Sequence, residues 1–323
     1  RLNLIQIAEI TSVYGVSALV LFGNLVIFTL LYKRGPGRGR LLLGTIALIL
    51  CISGWGAWRQ AQLADLPQDN RLRIGVVQGN IAQDQKWAPG FQTATIDRYA
   101  AMTRAAASQG VDLIAWPETA APFFFQSDVT YRGRILDLAR ETKTPLLFGS
   151  PAFHQTEAEV TLFNRAYLLS AEAELVDIYD KIILAPFGEF IPFKSSFLFF
   201  LDKLVEGIGD FAPGTDPTVF PLPPHAFGVL ICYEGIFPHL ARQFVDRGAT
   251  FLINITNDAW FGHSSAPYQH LVMEAMRAVE NRVPLIRAAN TGISAVIDPT
   301  GHIRVQTALS ESTFLVEEVT WPQ

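Results

Sequence analysis

The sequence predicts an α/β domain preceded by two transmembrane helices, and three observations lead there. Two runs near the start, about Tyr14 to Tyr32 and Leu41 to Trp58, are almost wholly apolar. Each is roughly 18 residues long, close to the ~20 a helix needs to cross hydrocarbon. Mean hydropathy over the chain is +0.24, which is high for a soluble protein. From Arg71 onward strand-like and helix-like segments alternate, as a layered α/β architecture demands.

Neither apolar run shows a polar face, so both read as spanning helices rather than as core helices of a soluble domain. Between them lies Lys33-Arg34-Gly35-Pro36-Gly37-Arg38-Gly39-Arg40, a loop with four cationic residues. By the positive-inside rule this loop faces the cytoplasm, and everything after about Arg59 is then extracytoplasmic. The expected division is therefore a membrane region over 1–59 and a catalytic domain over 60–323. The chain opens on Arg rather than Met, which reads as something upstream removed.

In the second region, Arg73 to Gln78 reads as a strand, Thr93 to Gln109 as a helix, and Val111 to Trp116 as a strand. Tyr131 to Thr142 is helical and Pro145 to Gly149 extended. A hairpin comes next, with strands Ala166 to Leu169 and Leu175 to Tyr179. After a strand ending at Ile231 come a helix near Pro238 to Arg247, the strand Thr250 to Ile255, a helix from Tyr268 to Arg282, and two or three closing strands from Pro284 to Val319.

Composition narrows the function classes. The net charge is −5 and the chain has no Lys/Arg-rich tract beyond the one short loop, so nothing recommends nucleic acid as a partner. The glycines of that loop sit between two apolar runs, not between a strand and a helix, so they do not form a phosphate cradle. The six His residues show no HExxH or paired spacing; His263 and His270 flank a turn-like segment and read as hydrogen-bonded loop residues. No metal or other cofactor is expected. Of the two cysteines, Cys51 lies inside an apolar run, so a disulfide with Cys232 is implausible.

Cys232 stands out by its place. Gly228 to Ile231 reads as a buried strand leading straight into it, and strand ends are where α/β enzymes keep their chemistry. Taken alone, a cysteine behind an apolar run is more often a small buried hydrophobe. A nucleophilic thiol needs a base to take its proton and a positive charge to hold the anion. Two other strand ends offer such groups: Trp116-Pro117-Glu118, and Asp180-Lys181 followed by Pro186-Phe187-Gly188-Glu189.

WPE, then DK with PFGE, then CYE, in that order, resembles the Glu-Lys-Cys constellation of the nitrilase superfamily. The text DAWFG (258–262), PYQH (267–270), NRVPLIRAANTG (281–292) and SAVIDPTG (294–301) is similar to one membrane-embedded branch, the apolipoprotein N-acyltransferases. These bacterial enzymes move a fatty acyl chain from a phospholipid to the N-terminal cysteine of lipoproteins. The resemblance implies a four-layered αββα sandwich, a place in the inner membrane with a periplasmic catalytic domain, and three partners: a phospholipid acyl donor, a diacylglyceryl apolipoprotein acceptor and the bilayer. It also implies a larger bundle of spanning helices than the two seen here, so this chain reads as a fragment.

The same resemblance implies a thioester mechanism. Glu118 is expected as general base, Cys232 as nucleophile, and Lys181 with the Tyr233 backbone N–H as oxyanion stabilisers. Glu189 is expected to orient Lys181, and Glu234 to shape the substrate side of the pocket. Phe123 and Phe124, with Phe199 and Phe200 in the stretch 193–204, are expected to line an acyl groove or form a lid. Each residue also has a plainer reading: Glu118 as a cap, Lys181 and Glu189 as a surface ion pair worth under ~1 kcal/mol, Glu234 as a solvated turn residue, the phenylalanines as core. The alternative function is a membrane-tethered nitrilase-type amidase that hydrolyses C–N bonds; a third reading, a non-catalytic scaffold, fits an intact triad poorly.

Overall fold

Both apolar runs are helices that extend past their hydrophobic centres. A single turn, α1 (Leu2–Ile5), precedes α2 (Ala8–Tyr32) and α3 (Arg38–Asp65). At 25 and 28 residues and about 1.5 Å per residue, each can cross a hydrocarbon layer of ~30 Å. Only 6% and 11% of the residues in their most apolar windows are buried. Leu21, Leu31, Leu43 and Leu50 are left open on their surfaces, an arrangement suited to a nonpolar surrounding. This computed structural model describes residues 2–33, 36–86, 89–157, 159–190 and 211–322.

The first helix starts earlier than its hydropathy implied because its polar leading residues have partners elsewhere. Gln6 is fully buried and donates to the Thr300 carbonyl at 2.9 Å. Glu9 lies between Arg59, at 2.5 Å, and Arg282, at 2.8 Å. Most of these partners lie hundreds of positions away, beyond the reach of a local pattern.

The α/β part is built on two sheets. β1 (Asn70–Gln78), β2 (Leu113–Ala115), β3 (Leu146–Gln155), β4 (Val160–Leu169), β5 (Leu175–Asp180) and β12 (Thr313–Trp321) form one, in the order β12-β1-β2-β3-β4-β5. β6 (Val219–Leu222), β7 (His225–Ile231), β8 (Phe251–Thr256), β9 (Leu285–Ala289), β10 (Ala295–Ile297) and β11 (Ile303–Gln306) form the other, in the order β11-β10-β9-β8-β7-β6. In each sheet three central strands run parallel, β1-β2-β3 and β7-β8-β9, and the flanking pairs are antiparallel. β8 and β9 are buried at every position, as parallel strands covered on both faces must be.

After a short turn, α4 (Gln83–Lys86), helices α5 (Gln92–Ala107) and α6 (Val129–Thr142) cover the first sheet, while α7 (Pro238–Asp246) and α8 (Ala266–Asn281) cover the second. The order of layers is αββα, as expected. Asp128 caps α6 by accepting from the Tyr131 N–H at 2.9 Å, and Pro238 opens α7 where its missing N–H costs nothing. One apolar cluster joins the two sheets through residues such as Val76, Leu147, Val229 and Ile253. A second packs Val77, Trp116 and Phe148 against Ile96, Tyr99 and Ile135 of the covering helices.

Four strands, not two or three, close the chain after Pro284, and β6 lies in a stretch to which the sequence reading assigns no element. The expected strand from Val111 to Trp116 shortens to three residues, which lets the chain leave the sheet before Glu118.

Candidate active site

Glu118, Lys181 and Cys232 lie just beyond the ends of β2, β5 and β7. All three line one cavity of about 520 Å³, with Glu189 and Tyr233. At Cys232 the chain passes from extended β7 into the 3-10 turn Cys232–Ile236, and Cys232 itself has φ of 51°. That left-handed conformation is uncommon for a residue with a side chain and persists only where neighbours impose it.

Asn254 Nδ2 donates to the Cys232 carbonyl at 3.2 Å, and Glu234 holds the residue before it. Glu234 Oε2 accepts from the Ile231 N–H at 2.7 Å, while Oε1 accepts from the Tyr179 hydroxyl (2.8 Å) and the N–H groups of Ile182 (2.7 Å) and Ile183 (3.0 Å). The carboxyl therefore binds the Cys232 turn to the segment that carries Lys181. Burial pushes Glu234 up to about 7, against the pull of the N–H donors. The expectation that Glu234 shapes the substrate side of the pocket is corrected: it is fully buried and does not line the cavity.

Glu118 follows a close approach of backbones. A Cβ on Gly149 of β3 would come within 2.5 Å of the Thr119 nitrogen and 2.8 Å of the Glu118 Cα, so only glycine fits there. Glu118 Oε1 accepts from Asn164 Nδ2 at 2.7 Å and lies 3.5 Å from Lys181 Nζ; Oε2 accepts from the Asn257 N–H at 3.0 Å. Lys181 is closer to Glu189 Oε2, at 2.7 Å, and that oxygen also accepts from the Ala185 N–H at 2.8 Å. Asn164 donates to both carboxylates, with 2.7 Å to Glu189 Oε1. The Lys181–Glu189 pair is thus buried, not the surface ion pair of the plainer reading.

Electrostatics set the resting state. Burial pulls the Lys181 ammonium down, but the Glu118 and Glu189 carboxylates more than offset it and hold its pKa above the ordinary value. Burial, then the Glu118 carboxylate, drive the Cys232 thiol well up, against Lys181. The sulfur therefore rests as a thiol beside an ammonium, and a thiol of this kind needs a base before it can act as a nucleophile.

Sequence reasoning missed several groups here. Lys86, at the end of α4, is buried and donates to the Glu118 carbonyl at 3.1 Å. Desolvation brings its pKa down to about 8, opposed by Glu118 and Cys232. Asn164 could have been flagged as a polar residue inside an apolar strand, whereas nothing local marks Lys86. His270 does not sit in a loop but on α8, buried, with Nδ1 3.1 Å from Asp258 and Nε2 2.9 Å from Glu274. Arg287 binds Asp258 at 2.6 Å and also contacts Glu274. Burial lowers the His270 pKa, but Glu274 and Asp258 outweigh it and bring it to about 9.

The phenylalanines after Glu118 are placed elsewhere than expected. Phe123 is a core residue against Tyr131, with rings 5.2 Å apart, and half-buried Phe124 packs edge-on against Phe153. Ser150 Oγ donates to the Phe123 carbonyl at 2.6 Å and accepts from the Phe125 N–H at 3.3 Å, drawing this segment onto β3 and away from the cavity. Phe199 and Phe200 lie outside the described residues. Four other apolar side chains, Phe187, Trp260, Phe261 and Met273, line the cavity and are exposed.

A family model described as carbon-nitrogen hydrolase matches residues 73–321, the α/β part almost entire. The chain belongs to the carbon-nitrogen hydrolase family. An amidase from Nesterenkonia sp. superposes on 79% of this chain and 93% of its own, with a TM-score of 0.59 and 21% identity. A Saccharomyces cerevisiae member of branch 10 of the nitrilase superfamily gives 0.59, at 20% identity over 77% and 90%. These likenesses show the nitrilase fold. Curated relatives carry the likeness further along the chain: one from Geobacter metallireducens named apolipoprotein N-acyltransferase is 45% identical over 98% of this chain and 61% of its own. One of the same name from Brucella melitensis is 35% identical over 95% and 58%. The chain spans about three fifths of the length of these two relatives.

Proposed function

We propose that this carbon-nitrogen hydrolase family member is the catalytic part of an acyltransferase, moving a fatty acyl chain from a phospholipid through a Cys232 thioester to the N-terminal amine of a diacylglyceryl lipoprotein. The observation that carries this reading is the setting of the cavity. The buried acid, ammonium and thiol open toward exposed Phe187, Trp260, Phe261 and Met273, on a chain with two helices, among the described residues, long and apolar enough to cross a membrane. An amidase for small water-borne amides has no use for either feature, and exposed apolar clusters of this kind mark lipid or ligand contact. The shared name of the curated relatives favours the same reading.

In the first half-reaction Glu118 takes the thiol proton and the sulfur attacks the ester carbonyl. The oxyanion is held by the Lys181 ammonium and the Tyr233 backbone N–H. Collapse breaks the ester C–O bond, and Glu118 returns the proton to the departing lysophospholipid alkoxide. In the second half Glu118 deprotonates the attacking amine, collapse of the adduct breaks the C–S bond and expels the thiolate, and Glu118 passes the proton on to the sulfur. Glu189 and Asn164 hold Lys181 and Glu118 in place throughout. The two apolar helices span the bacterial inner membrane with the α/β domain on its periplasmic side, placing the aromatic rim at the outer leaflet.

The test supplies the chain, in vesicles, with phospholipid bearing an isotope-labelled acyl chain and a diacylglyceryl-cysteine peptide with a free N-terminus. Label on the peptide amine is the expected product. Labelled free fatty acid alone would mean that water resolves the thioester, and the acyltransferase reading would fall to the hydrolase.

A further inference from the structure

α8 carries a line of charge that the proposed chemistry does not use. His270, Glu274, Arg277 and Glu280 are spaced by four, three and three residues, which sets them along one face of a helix. They are 7%, 0%, 1% and 7% exposed. Buried charges are costly unless paired, so their partners identify what the line holds together.

At one end His270 Nε2 lies 3.3 Å from the Cys232 carbonyl. Glu274 stands against Gly235 so closely that a Cβ there would meet it at 2.7 Å. Arg277 Nη1 donates to the Ile236 carbonyl at 2.5 Å, at the end of the turn that begins with Cys232. Its Nε and Nη2 bind Glu280 at 2.5 and 2.9 Å. Glu280 Oε1 then accepts from Ser12 Oγ at 2.6 Å and from the Val13 N–H at 2.7 Å.

Ser12 is where α2 breaks. Its φ of 56° and ψ of −173° lie in a region that costs a non-glycine residue on the order of 1–3 kcal/mol, and such strain gathers at functional places. The break frees the Val13 N–H, and Glu280 caps it from another helix as a carboxylate at a helix start does. Val13 and Val16 pack beside it on Met276 and Val279 of α8.

We propose that Arg277 and Glu280 are positioning residues that tie the break in the first apolar helix to the turn bearing Cys232. The reactivity of the thiol then depends on how that helix is seated on α8. This rests on Cys232 being the nucleophile, and its test avoids acyl transfer altogether.

The whole chain, with Cys51→Ser so that one thiol remains, is placed in vesicles of diether phospholipid, which has no ester to transfer. Alkylation of Cys232 by iodoacetamide is timed by mass spectrometry beside thermal unfolding. Glu280→Ala and Arg277→Met each slow alkylation about tenfold and Ser12→Ala about threefold, and Ser12→Ala adds nothing once Glu280→Ala is present, as expected of residues on one path. Rates within about twofold of the parent in folded Glu280→Ala and Ser12→Ala proteins, or effects that multiply independently, overturn the proposal. A lowered unfolding temperature with unchanged alkylation also overturns it, since that is a purely structural role. Should Glu280→Ala not fold, Ser12→Ala decides: slowed alkylation supports the link and an unchanged rate overturns it. Acyl transfer that fails in the parent while these rates hold would count against the proposed function and leave the link standing.

Discussion

Lys181 Nζ lies 2.7 Å from Glu189, nearer than the 3.5 Å that separates it from Glu118. Glu189 takes the closer contact with the ammonium, which in the proposed mechanism leaves Glu118 less tightly paired and able to act as base. Glu189→Gln weakens that hold and lets Lys181 close on Glu118, so it slows Cys232 acylation by about tenfold to a hundredfold, less than the roughly hundredfold to thousandfold of a lost oxyanion donor because Glu189 acts through Lys181. Stopped-time mass analysis of the acyl adduct measures this. A rate within twofold of the parent would assign Glu189 to packing alone.

Glu234 contributes to stability by satisfying four donors at once. Glu234→Gln keeps the shape but turns an amide N–H₂ toward one set of them. The expected loss is on the order of 2–3 kcal/mol, because a buried donor is left without an acceptor. Unfolding by guanidinium, followed by tryptophan fluorescence, measures it; an unchanged midpoint would remove Glu234 from this role.

His270 makes stability depend on pH in a stated direction. Its folded pKa of about 9 stands above the ordinary 6.5, chiefly because Glu274 and Asp258 outweigh its burial, with Arg287 opposing them. A base whose pKa is raised on folding stabilises the fold most below the unfolded value and loses that contribution as pH rises through the folded one. The stability gap between the parent and His270→Gln is therefore on the order of 3 kcal/mol below pH 6.5 and closes as pH rises through about 9. A gap that widened with pH would contradict the charged imidazole.

Lys86 is a second amine near the acid, donating to the Glu118 backbone while acting electrostatically on Glu118 and Cys232. Lys86→Met removes that charge from a desolvated site. Iodoacetamide alkylation of Cys232 is expected to slow by about tenfold, the effect of one lost charged hydrogen bond, and an unchanged rate would make Lys86 a filler of space.

That Glu118, Lys181 and Cys232 would stand at strand ends was legible from the apolar runs before them, and that they would share one cavity was expected from the family pattern they match together. The alternation of segments shows only an α/β chain with some antiparallel pairing; the αββα layering was expected from the family resemblance, and pairing order and register come from contacts the chain makes far from home. Phe123 and Phe124 misled because an aromatic run after a strand looks the same whether it lines a groove or enters a core; the Ser150 hydroxyl, 27 positions from Phe123, decides between them. Glu234 looked like a pocket residue for a related reason, since adjacency to Cys232 in sequence does not say which way its side chain turns. The α8 charge line was readable as spacing, but its partners at Ser12 and Ile236 were not.

The central claim is that the Cys232 sulfur carries an acyl chain. Intact-mass analysis after mixing the protein with ester phospholipid vesicles tests it most directly. We expect a mass increase of one fatty acyl group at Cys232, lost on treatment with hydroxylamine and absent from Cys232→Ser. No adduct at Cys232 in a folded protein whose thiol still reacts with iodoacetamide would contradict the claim.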